Sequence, residues 1–387
     1  MKNVNVYGVG YIGLPTSVIL AESGYQVLGI DINSNIVDLI NTGKAHIVEE
    51  GLDERLKSAV NQGKLRASLK PEQTDTHIIA VPTPINKDKS PNISYVLDAT
   101  RSIAKVLKEG DLVIIESTSP IGITKKVSDL LKELAPNINF FCAYCPERIL
   151  PGQMLYELIH NNRVVGGICS ESTKMAVNFY SKFVKGKIHE TTSTVSELSK
   201  LAENAFRDVN IAFANELSII CKNLEVSTRE LINIVNDHPR VNVLNPGVGV
   251  GGHCIAIDPW FLISEFPDDS VLMQSARKVN IGKTSWVKKD ILAHIEPNDN
   301  ILILGISYKP DVDDLRESPA LEIANYIKSN HSKCQIHDPF FEEFNNLNLE
   351  TEDTLKQFDK IIILVYHSQF EKINLQDHFC LDYTEKI

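Results

Sequence analysis

The sequence lacks a positive charge excess, a basic block and a long apolar run. Its 387 residues carry 39 Lys and Arg against 50 Asp and Glu, which gives a net charge of −11. With no clustered basic surface in prospect, we expect no nucleic-acid partner. No run of 18 apolar residues occurs, so we also expect no membrane span.

Cysteine is scarce and shows no disulfide pattern. Seven scattered cysteines, an odd number, argue against a disulfide framework and favour a reducing cytoplasm. Cys142 and Cys145 form a CxxC pair, but no second pair or His cluster completes a zinc site, so we expect no metal. The first residues, MKNVNVYGVG, run directly into a strand pattern, from which we expect no secretory signal peptide.

The chain is long enough for more than one hydrophobic core. Strand patterns at 4–7, 26–30, 77–81, 112–116 and 139–143 alternate with helical stretches, which predicts a doubly wound parallel sheet running to about residue 185. A second such unit begins near residue 300, with strands at 301–304, 334–337 and 360–365. Between the two units, apolar residues recur at helical spacing from Leu198 to Ile220 without Gly or Pro, which predicts one helix over 193–223. We therefore expect an α/β protein with two Rossmann-like domains, 1–185 and 296–387, joined by a central helical domain, 186–295.

The first glycine-rich turn predicts a dinucleotide site. Gly8, Gly10 and Gly13 follow a strand and open a helix, and Asp31 ends the next strand. In this pattern the first glycine permits the turn, the second lets a pyrophosphate approach, and the third lets helix and strand pack closely. A carboxylate at Asp31 would bind ribose hydroxyls and repel a 2′-phosphate, which favours NAD over NADP.

The second glycine-rich stretch, residues 247–258, carries Cys254 after four glycines and places Asp258 four residues later. Glycine at this density permits close approach of a ligand, so Cys254 is a candidate nucleophile rather than a buried structural thiol. The adjoining His253 is either a base or a packing residue. Lys200 and Asn204 share one face of the long helix and could stabilise an oxyanion, although a solvated helix face has the same spacing.

Taken together, these residues resemble the UDP-glucose/GDP-mannose dehydrogenase family. The resemblance covers nearly the whole chain in order: GVGYIG at 8–13, VPTP at 81–84, ESTSPIG at 116–122, CPERILPG at 145–152, SKLAENAFRDVNIAFANE at 199–216, HPRVN at 238–242, GVGGHCIAIDPWF at 249–261 and YKPDVDDLRESP at 308–319. It implies a four-electron oxidation of a UDP-sugar at C6 by NAD, through a cysteine thioester, in a cytoplasmic homodimer that supplies surface polysaccharide biosynthesis.

Residues at several motif positions differ from those in the branch of the family that oxidises UDP-glucose. That branch usually has Lys-Asp at the third and fourth positions after the cysteine, where this chain has Ile257 and Asp258, and a second glutamate where this chain has Pro151. The resemblance is therefore strongest to the branch that oxidises UDP-N-acetyl-D-mannosamine. The family usually has an Asp-Thr-Lys-Gly-like stretch near its C-terminus, where this chain has residues 381–387 in another sequence, so the resemblance leaves a substrate contact there open.

The resemblance assigns roles residue by residue. The catalytic set that it implies is Cys254, Lys200, Asn204, Glu147, Asp258 and Thr118. The NAD contacts that it implies, with those of the glycine turn, are Gly8, Gly10, Tyr11, Ile12, Gly13, Asp31, Thr83, Thr118 and Arg316. The UDP-sugar contacts that it implies are Arg148, Ile149, Lys200, Asn204, Arg207, His238, Arg240, Gly251, Tyr308 and Lys309, with Arg240 acting across a dimer interface.

Two other activities remain open from the sequence. One is oxidation of UDP-N-acetylglucosamine or another UDP-N-acetylhexosamine, which differs from the mannosamine substrate only in sugar configuration. The other is a single-step 3-hydroxyacid-type dehydrogenase, which also joins a Rossmann domain to a long helix but needs no nucleophilic cysteine.

Overall fold

The computed structural model describes residues 3–150, 152–349, 352–375, 377–384 and 386. Pro151 lies outside the described residues, as do Glu385 and Ile387 of the C-terminal stretch discussed above. The chain folds as two compact units, residues 1–202 and 203–387. Each unit contains a sheet of predominantly parallel strands, as the alternation of strand and helix patterns predicts.

The first unit is built on an eight-stranded sheet. Its strands are β1 (Asn3–Tyr7), β2 (Gln26–Ile30), β3 (Leu65–Ser68), β4 (Thr76–Ile79), β5 (Leu112–Ile115), β6 (Phe141–Tyr144), β7 (Arg163–Gly167) and β8 (Ile188–Thr192). Its helices are α1 (Gly13–Glu22), α2 (Ser34–Asn41), α3 (Leu52–Asn61), α4 (Ser94–Ala104), α5 (Ile123–Leu134), α6 (Met154–His160) and α7 (Ser170–Tyr180).

The strand order in this sheet is β3-β2-β1-β4-β5-β6-β7-β8, so the winding direction reverses between β1 and β4. Successive residues of each central strand enter opposite cores: Val6 and Ile78 pack on one face, and Tyr7 and Ile79 on the other. Both faces are therefore covered, as parallel strands require. The carboxyl ends of β1 and β4 form the reversal point at which ligands bind in such sheets.

The sheet extends further than the sequence pattern predicts, to Thr192 rather than about residue 185, and it is not wholly parallel. Strand β7 pairs with β6 in the antiparallel direction, and β8 pairs with β7 in parallel. Strand β7 begins with Arg163, which is buried because it lies 3.9 Å from the Glu116 carboxylate and over the Tyr180 ring. Strand β8 is largely exposed and polar, and it therefore resembles a loop in sequence.

The long helix predicted over 193–223 is confirmed as α8 (Ser193–Asn223), 31 residues in length. The remaining helices are α9 (Thr228–Asn236), α10 (Asp258–Glu265), α11 (Val271–His294), α12 (Pro319–Asn330) and α13 (Glu352–Leu355), with 3-10 turns at Glu342–Phe344 and Ser368–Lys372. Pro259 in the first turn of α10 and Pro319 in that of α12 suit positions that need no amide donor.

The second unit contains a four-stranded sheet made of β9 (Ile301–Leu304), β10 (Cys334–His337), β11 (Lys360–Ile363) and β12 (Cys380–Asp382). The order is β10-β9-β11-β12 and every pair is parallel. The winding reverses between β9 and β11, which places the 305–309 segment at the second reversal point. The predicted fold class, with two doubly wound sheets and one long helix, is confirmed.

Candidate active site

Each glycine of the first turn is needed for a different physical reason. Gly8 has φ +84°, a left-handed conformation that glycine adopts without strain. A Cβ on Gly13 would lie 1.8 Å from the Gly8 carbonyl oxygen, so helix α1 packs on the turn only with glycine there. A Cβ on Gly10 would meet no atom within 4 Å, so the turn presents open backbone where a pyrophosphate approaches the start of α1.

Asp31 is fixed beside this turn. Its carboxylate accepts hydrogen bonds from the backbone amides of Val9, at 3.2 Å, and Asn33, at 3.0 Å. These bonds hold a negative charge at the end of β2, next to the open turn. Together with the space above Gly10, they fit a dinucleotide whose ribose hydroxyls donate to the carboxylate.

The predicted cofactor residues Thr83 and Thr118 are in contact with each other. The Thr83 hydroxyl donates to the Thr118 carbonyl oxygen, which links the loops after β4 and β5. The loop after β5 is also held from α8, because the buried Glu197 carboxylate accepts from the amides of Gly122 and Thr124 and from the Thr124 hydroxyl. Tyr11 and Ile12 are half-buried at the start of α1.

Glu147 and Lys200 form a buried ion pair. The Lys200 ammonium donates to Glu147 Oε1 and to the Glu147 backbone oxygen, both at 2.9 Å. Each side chain is 9% exposed, so water screens the pair weakly. The other Glu147 oxygen accepts from the Ile149 amide at 2.9 Å. The structure therefore places a carboxylate and an ammonium together in the first unit, at the end of β6.

The glycines before Cys254, which we expected to admit a ligand, pack against other parts of the chain. A Cβ on Gly251 would lie 2.5 Å from the Glu317 oxygen, and one on Gly252 would lie 2.8 Å from the Tyr308 ring. Glycine is required here because the loop packs against the segment that follows β9, rather than only to admit a ligand. The Gly252 amide also donates to the Arg316 oxygen at 3.0 Å. Cys254 is half-buried and adjoins this packed segment.

Asn204 and Asp258 are both buried and in direct contact, with the Asn204 amide donating to Asp258 Oδ2 at 2.5 Å. The Asp258 amide donates to the Cys254 oxygen at 2.8 Å. Within the second unit, one continuous set of contacts therefore joins α8 to the cysteine loop and the start of α10.

Lys309 interacts electrostatically with Cys254. Burial lowers the pKa of Lys309, and the Arg207 guanidinium lowers it further, whereas Asp314 and Cys254 act in the opposite direction. Its ammonium lies 5.8 Å from the centre of the Tyr308 ring. Arg207, Tyr308 and Lys309, three predicted substrate residues, thus share one environment with Cys254.

The remaining predicted residues lie in more exposed positions. His238 and Arg240 are exposed after α9, where the Arg240 amide donates to His238 Nδ1 at 3.3 Å. Arg316, predicted to bind NAD, forms a two-oxygen ion pair with Asp314. Arg148 is half-buried, and its backbone oxygen accepts from Asn161.

Five buried polar residues of α8 and α11 were not anticipated from the sequence. Asn215, Arg277 and Thr284 contact the ends of the cysteine loop, and Asp208 and Asn280 link these three to one another. Their spacing of three, four or seven residues, which places them on one face of each helix, is the signal that could have identified them.

Comparison with known proteins matches three consecutive segments to one family. Residues 2–184 match the NAD binding domain of the UDP-glucose/GDP-mannose dehydrogenase family, 194–281 its central domain and 302–383 its UDP binding domain. The chain belongs to the UDP-glucose/GDP-mannose dehydrogenase family. The resemblance seen in the sequence is confirmed, and with it the NAD cofactor and the class of nucleotide-sugar dehydrogenase.

Relatives of high similarity include two kinds of enzyme. The UDP-N-acetyl-D-mannosamine dehydrogenase of Campylobacter jejuni is 44% identical over 96% of this chain and 97% of its own. The NDP-N-acetyl-D-galactosaminuronic acid dehydrogenase of Ralstonia nicotianae is also 44% identical, over 98% of this chain and 95% of its own. The solved UDP-D-ManNAc dehydrogenase of Pyrococcus horikoshii is 37% identical, covers 100% of this chain and 96% of its own, and superposes with a TM-score of 0.93.

The described residues were also compared with the expectations for membrane spans, metal sites and the CxxC pair. Among those residues, no helix is both long and apolar enough to cross a membrane, and no group of three His, Cys, Asp or Glu is placed to hold a metal ion. Cys142 and Cys145 are both fully buried, and burial raises the pKa of Cys145 to about 11.

We predict that Asp31 sets the cofactor preference of this dehydrogenase. The wild-type protein should prefer NAD to NADP by at least about 100-fold in kcat/KM, roughly 2.7 kcal/mol, because a 2′-phosphate would meet the Asp31 carboxylate. Asp31→Ser should narrow that preference, whereas the exposed Asp38→Ser on α2 should leave it unchanged. Equal kcat/KM values for NAD and NADP in the wild-type protein would contradict the assignment.

Proposed function

We propose that this chain oxidises C6 of UDP-N-acetyl-D-mannosamine to a carboxylate in the cytoplasm, giving UDP-N-acetyl-D-mannosaminuronate for surface polysaccharide biosynthesis. The observation that carries the proposal is the environment of Cys254, a half-buried thiol beside the Asn204–Asp258 pair and within the electrostatic range of Lys309. Full-length relatives at 44% identity that are named for N-acetylated nucleotide sugars support the substrate class.

We assign NAD binding, catalysis and UDP-sugar binding to three segments of the chain. Residues 1–185 bind NAD, residues 186–295 carry Lys200, Asn204 and Cys254 and form the dimer, and residues 296–387 bind the UDP-sugar. The family matches at 2–184, 194–281 and 302–383 support this division, although the compact units of the fold meet at residue 202.

The first oxidation converts the C6 alcohol to an aldehyde. NAD bound at the Gly8–Gly13 turn would accept the hydride of this step, and because each NAD takes only one hydride, a second NAD would have to replace the NADH before the second oxidation. The alcohol proton needs a base, and the developing alkoxide needs a cation. The Glu147–Lys200 pair offers both in one buried contact, because Lys200 can stabilise the oxygen while Glu147 receives the proton.

The second oxidation requires a nucleophile, because an aldehyde carbon is a poor hydride donor. The Cys254 thiolate adds to the carbonyl carbon: the sulfur–carbon bond forms, and the carbonyl π electrons move to oxygen, which takes a proton. The resulting thiohemiacetal loses that proton and a hydride to become a thioester. Asn204 donates to its oxygen, and Asp258 orders water near the sulfur.

Water then hydrolyses the thioester. Its oxygen bonds to the carbonyl carbon, the carbon–sulfur bond breaks, and the Cys254 thiol is regenerated together with the carboxylate. Glu147 accepts the proton from the water, and Thr118, on the loop after β5, positions that water. Glu147 must release the alcohol proton of the first oxidation to solvent before it accepts this one.

Recognition of the nucleotide rests on cations that outweigh the chain's overall charge of −11. Tyr308 and Lys309 follow β9 at the second reversal point, where a doubly wound sheet binds nucleotides, and Gly251 packs directly on Tyr308. The residues that we assign to the UDP-sugar are Arg148, Ile149, Lys200, Asn204, Arg207, His238, Arg240, Gly251, Tyr308 and Lys309.

Turnover on a panel of UDP-N-acetylhexosamines tests this proposal. We expect the highest kcat/KM with UDP-N-acetyl-D-mannosamine and the uronate as product. A higher kcat/KM with the glucosamine or galactosamine epimer would show that the sugar is assigned wrongly, while the chain would remain a UDP-N-acetylhexosamine dehydrogenase. Free N-acetylmannosamine at millimolar concentration should not react. Oxidation of 3-hydroxyacids, with no turnover of any UDP-sugar, would reject the class.

We predict that Cys254→Ala abolishes uronate formation, because no thiohemiacetal can form, while aldehyde production persists. Trapping the aldehyde with semicarbazide and identifying the product by mass spectrometry would measure both. With Cys254→Ser, an oxygen ester resists hydrolysis more than a thioester does, so an adduct should remain on the peptide that contains residue 254. Uronate production by Cys254→Ala at the wild-type rate would remove the thioester mechanism.

We predict that Lys309 makes substrate binding fail at high pH. Burial and Arg207 lower the pKa of Lys309, so its positive charge is lost at a lower pH than that of an ordinary lysine. The KM for the UDP-sugar should therefore rise with increasing pH, while binding of NAD changes little. Lys309→Arg should move this rise to higher pH, because arginine stays charged. An unchanged profile in Lys309→Arg would exclude Lys309 as the titrating group.

We propose a homodimer formed through helix α8. Phe206, Phe213 and Ile220 lie seven residues apart on this helix and Leu224 directly follows its end; the four side chains are 68%, 51%, 51% and 67% exposed and form an apolar stripe. An exposed apolar stripe of this kind marks a contact surface. A second copy of this chain is the occupant that we assign, because two identical stripes can cover each other about a two-fold axis.

Mixing Arg240→Ala with Cys254→Ala, at a UDP-sugar concentration too low for Arg240→Ala to turn over, tests whether Arg240 acts across that dimer. Arg240→Ala should weaken UDP-sugar binding by about 1.5–3 kcal/mol, the usual contribution of a hydrogen bond to a charged group, with NAD binding nearly unchanged. If Arg240 completes the site of its partner subunit, an equal mixture of the Arg240→Ala and Cys254→Ala proteins should regain activity. Half of the dimers would then be hybrids with one complete site each, so about a quarter of all sites would be intact. No recovery, despite subunit exchange shown by native mass spectrometry, would place Arg240 in its own subunit's site or outside it.

A further inference from the structure

A group of buried polar side chains holds both ends of the loop that carries Cys254. We name it the loop clamp, and its members are Asp208, Asn215, Arg277, Asn280 and Thr284. Two come from α8 and three from α11, and each is at most 6% exposed. Polar groups are costly to bury without partners, so a cluster of five indicates a specific requirement.

The amino-terminal end of the loop is held by two of these residues. Asn215 Oδ1 accepts from the Gly247 amide at 2.9 Å. The Thr284 hydroxyl donates to the Val248 oxygen at 3.0 Å. The backbone is therefore fixed where it enters the glycine-rich stretch, although glycine itself restrains the chain least.

The carboxyl-terminal end is held by Arg277. One guanidinium nitrogen donates to Asp208 Oδ1 at 2.7 Å and to the Ile255 oxygen at 3.4 Å. Ile255 directly follows Cys254, so this contact acts on the peptide next to the thiol. The pair is buried at a cost to both charges, since desolvation raises the pKa of Asp208 and lowers that of Arg277.

The two ends are linked through Asn280. Its amide nitrogen donates to Asp208 Oδ1 at 2.8 Å and to the Asp208 backbone oxygen, while its Oδ1 accepts from Asn215 at 2.9 Å. A single hydrogen-bonded chain therefore runs from Gly247 through Asn215, Asn280 and Asp208 to Arg277 and Ile255. Displacement at one end of the loop would disturb the other end.

We propose that the loop clamp positions the Cys254 thiol for the second oxidation, so that Arg277 and Thr284 are positioning residues for aldehyde-to-acid conversion but not for alcohol oxidation. This inference rests on the proposed function. The first oxidation needs the Glu147–Lys200 pair but no sulfur, whereas thiohemiacetal formation needs the thiol within bonding reach of the aldehyde carbon. Loosening the loop should therefore separate the two steps.

Two variants loosen the loop in different ways. Arg277→Lys keeps a positive charge against Asp208 but cannot reproduce the guanidinium contacts to both Asp208 and Ile255. Thr284→Val removes only the hydroxyl that binds the Val248 oxygen and keeps the side-chain shape. Ser218→Ala is the matched control, since the Ser218 hydroxyl accepts from Lys283 between the same two helices without touching the loop.

The measurement is the amount of aldehyde trapped by semicarbazide and of NADH formed per UDP-sugar consumed. We expect Arg277→Lys and Thr284→Val to slow acid formation by roughly 10- to 100-fold, to release trappable aldehyde and to lower the NADH yield from two toward one. Ser218→Ala should keep a yield of two. A yield of two in both loop variants, with no trapped aldehyde, would overturn the proposal even if their thermal stability fell.

The same assay separates this inference from the proposed function. If Cys254→Ala still forms the uronate, or if the wild-type protein oxidises no UDP-N-acetylhexosamine, the proposed function fails. If Cys254→Ala releases only aldehyde while both loop variants form acid with an NADH yield of two, the thioester mechanism stands and the clamp proposal fails.

Discussion

A polar side chain buried in protein must find a hydrogen-bond partner, and five of the polar side chains that helix α8 buries form one stripe along the helix. Glu197, Lys200, Asn204, Asp208 and Asn215 are three, four, four and seven residues apart, and each is at most 7% exposed. Their partners lie at the start of α5, in the loop after β6, at the start of α10, on α11 and at the entry of the cysteine loop. The functional groups that we assign depend on this polar stripe, because it orients Lys200 and Asn204 and restrains the loop of Cys254.

Local signals made much of this predictable. The turn at Gly8–Gly13 and the carboxylate of Asp31 could be read directly, because a tight turn, an open backbone and an acidic strand end each need particular residues. The long helix α8 followed from apolar residues that recur at helical spacing with no Gly or Pro among them. The Lys200 and Asn204 pair could be proposed from spacing alone, but its separation from a solvated helix face required the buried contacts with Glu147 and Asp258.

Features that depend on distant partners were not predictable. Strand β7 begins with Arg163, whose burial depends on distant partners that include Glu116 and Tyr180. The loop clamp joins residues 65 to 72 positions apart, and no periodicity within one helix identifies the partner on another. Apolar periodicity also does not distinguish a core from a contact surface: Leu201 is fully buried on α8, whereas Ile220, part of the same predicted pattern, is 51% exposed.

We propose that one polypeptide carries a sugar alcohol through two successive oxidations, with Cys254 forming the covalent intermediate. The most direct measurement is the number of NADH molecules formed per molecule of UDP-N-acetyl-D-mannosamine consumed by the wild-type protein, with the product identified by mass spectrometry. We expect two NADH per molecule of substrate, with the uronate as the product. One NADH per substrate, with an aldehyde or ketone as the final product, would contradict it.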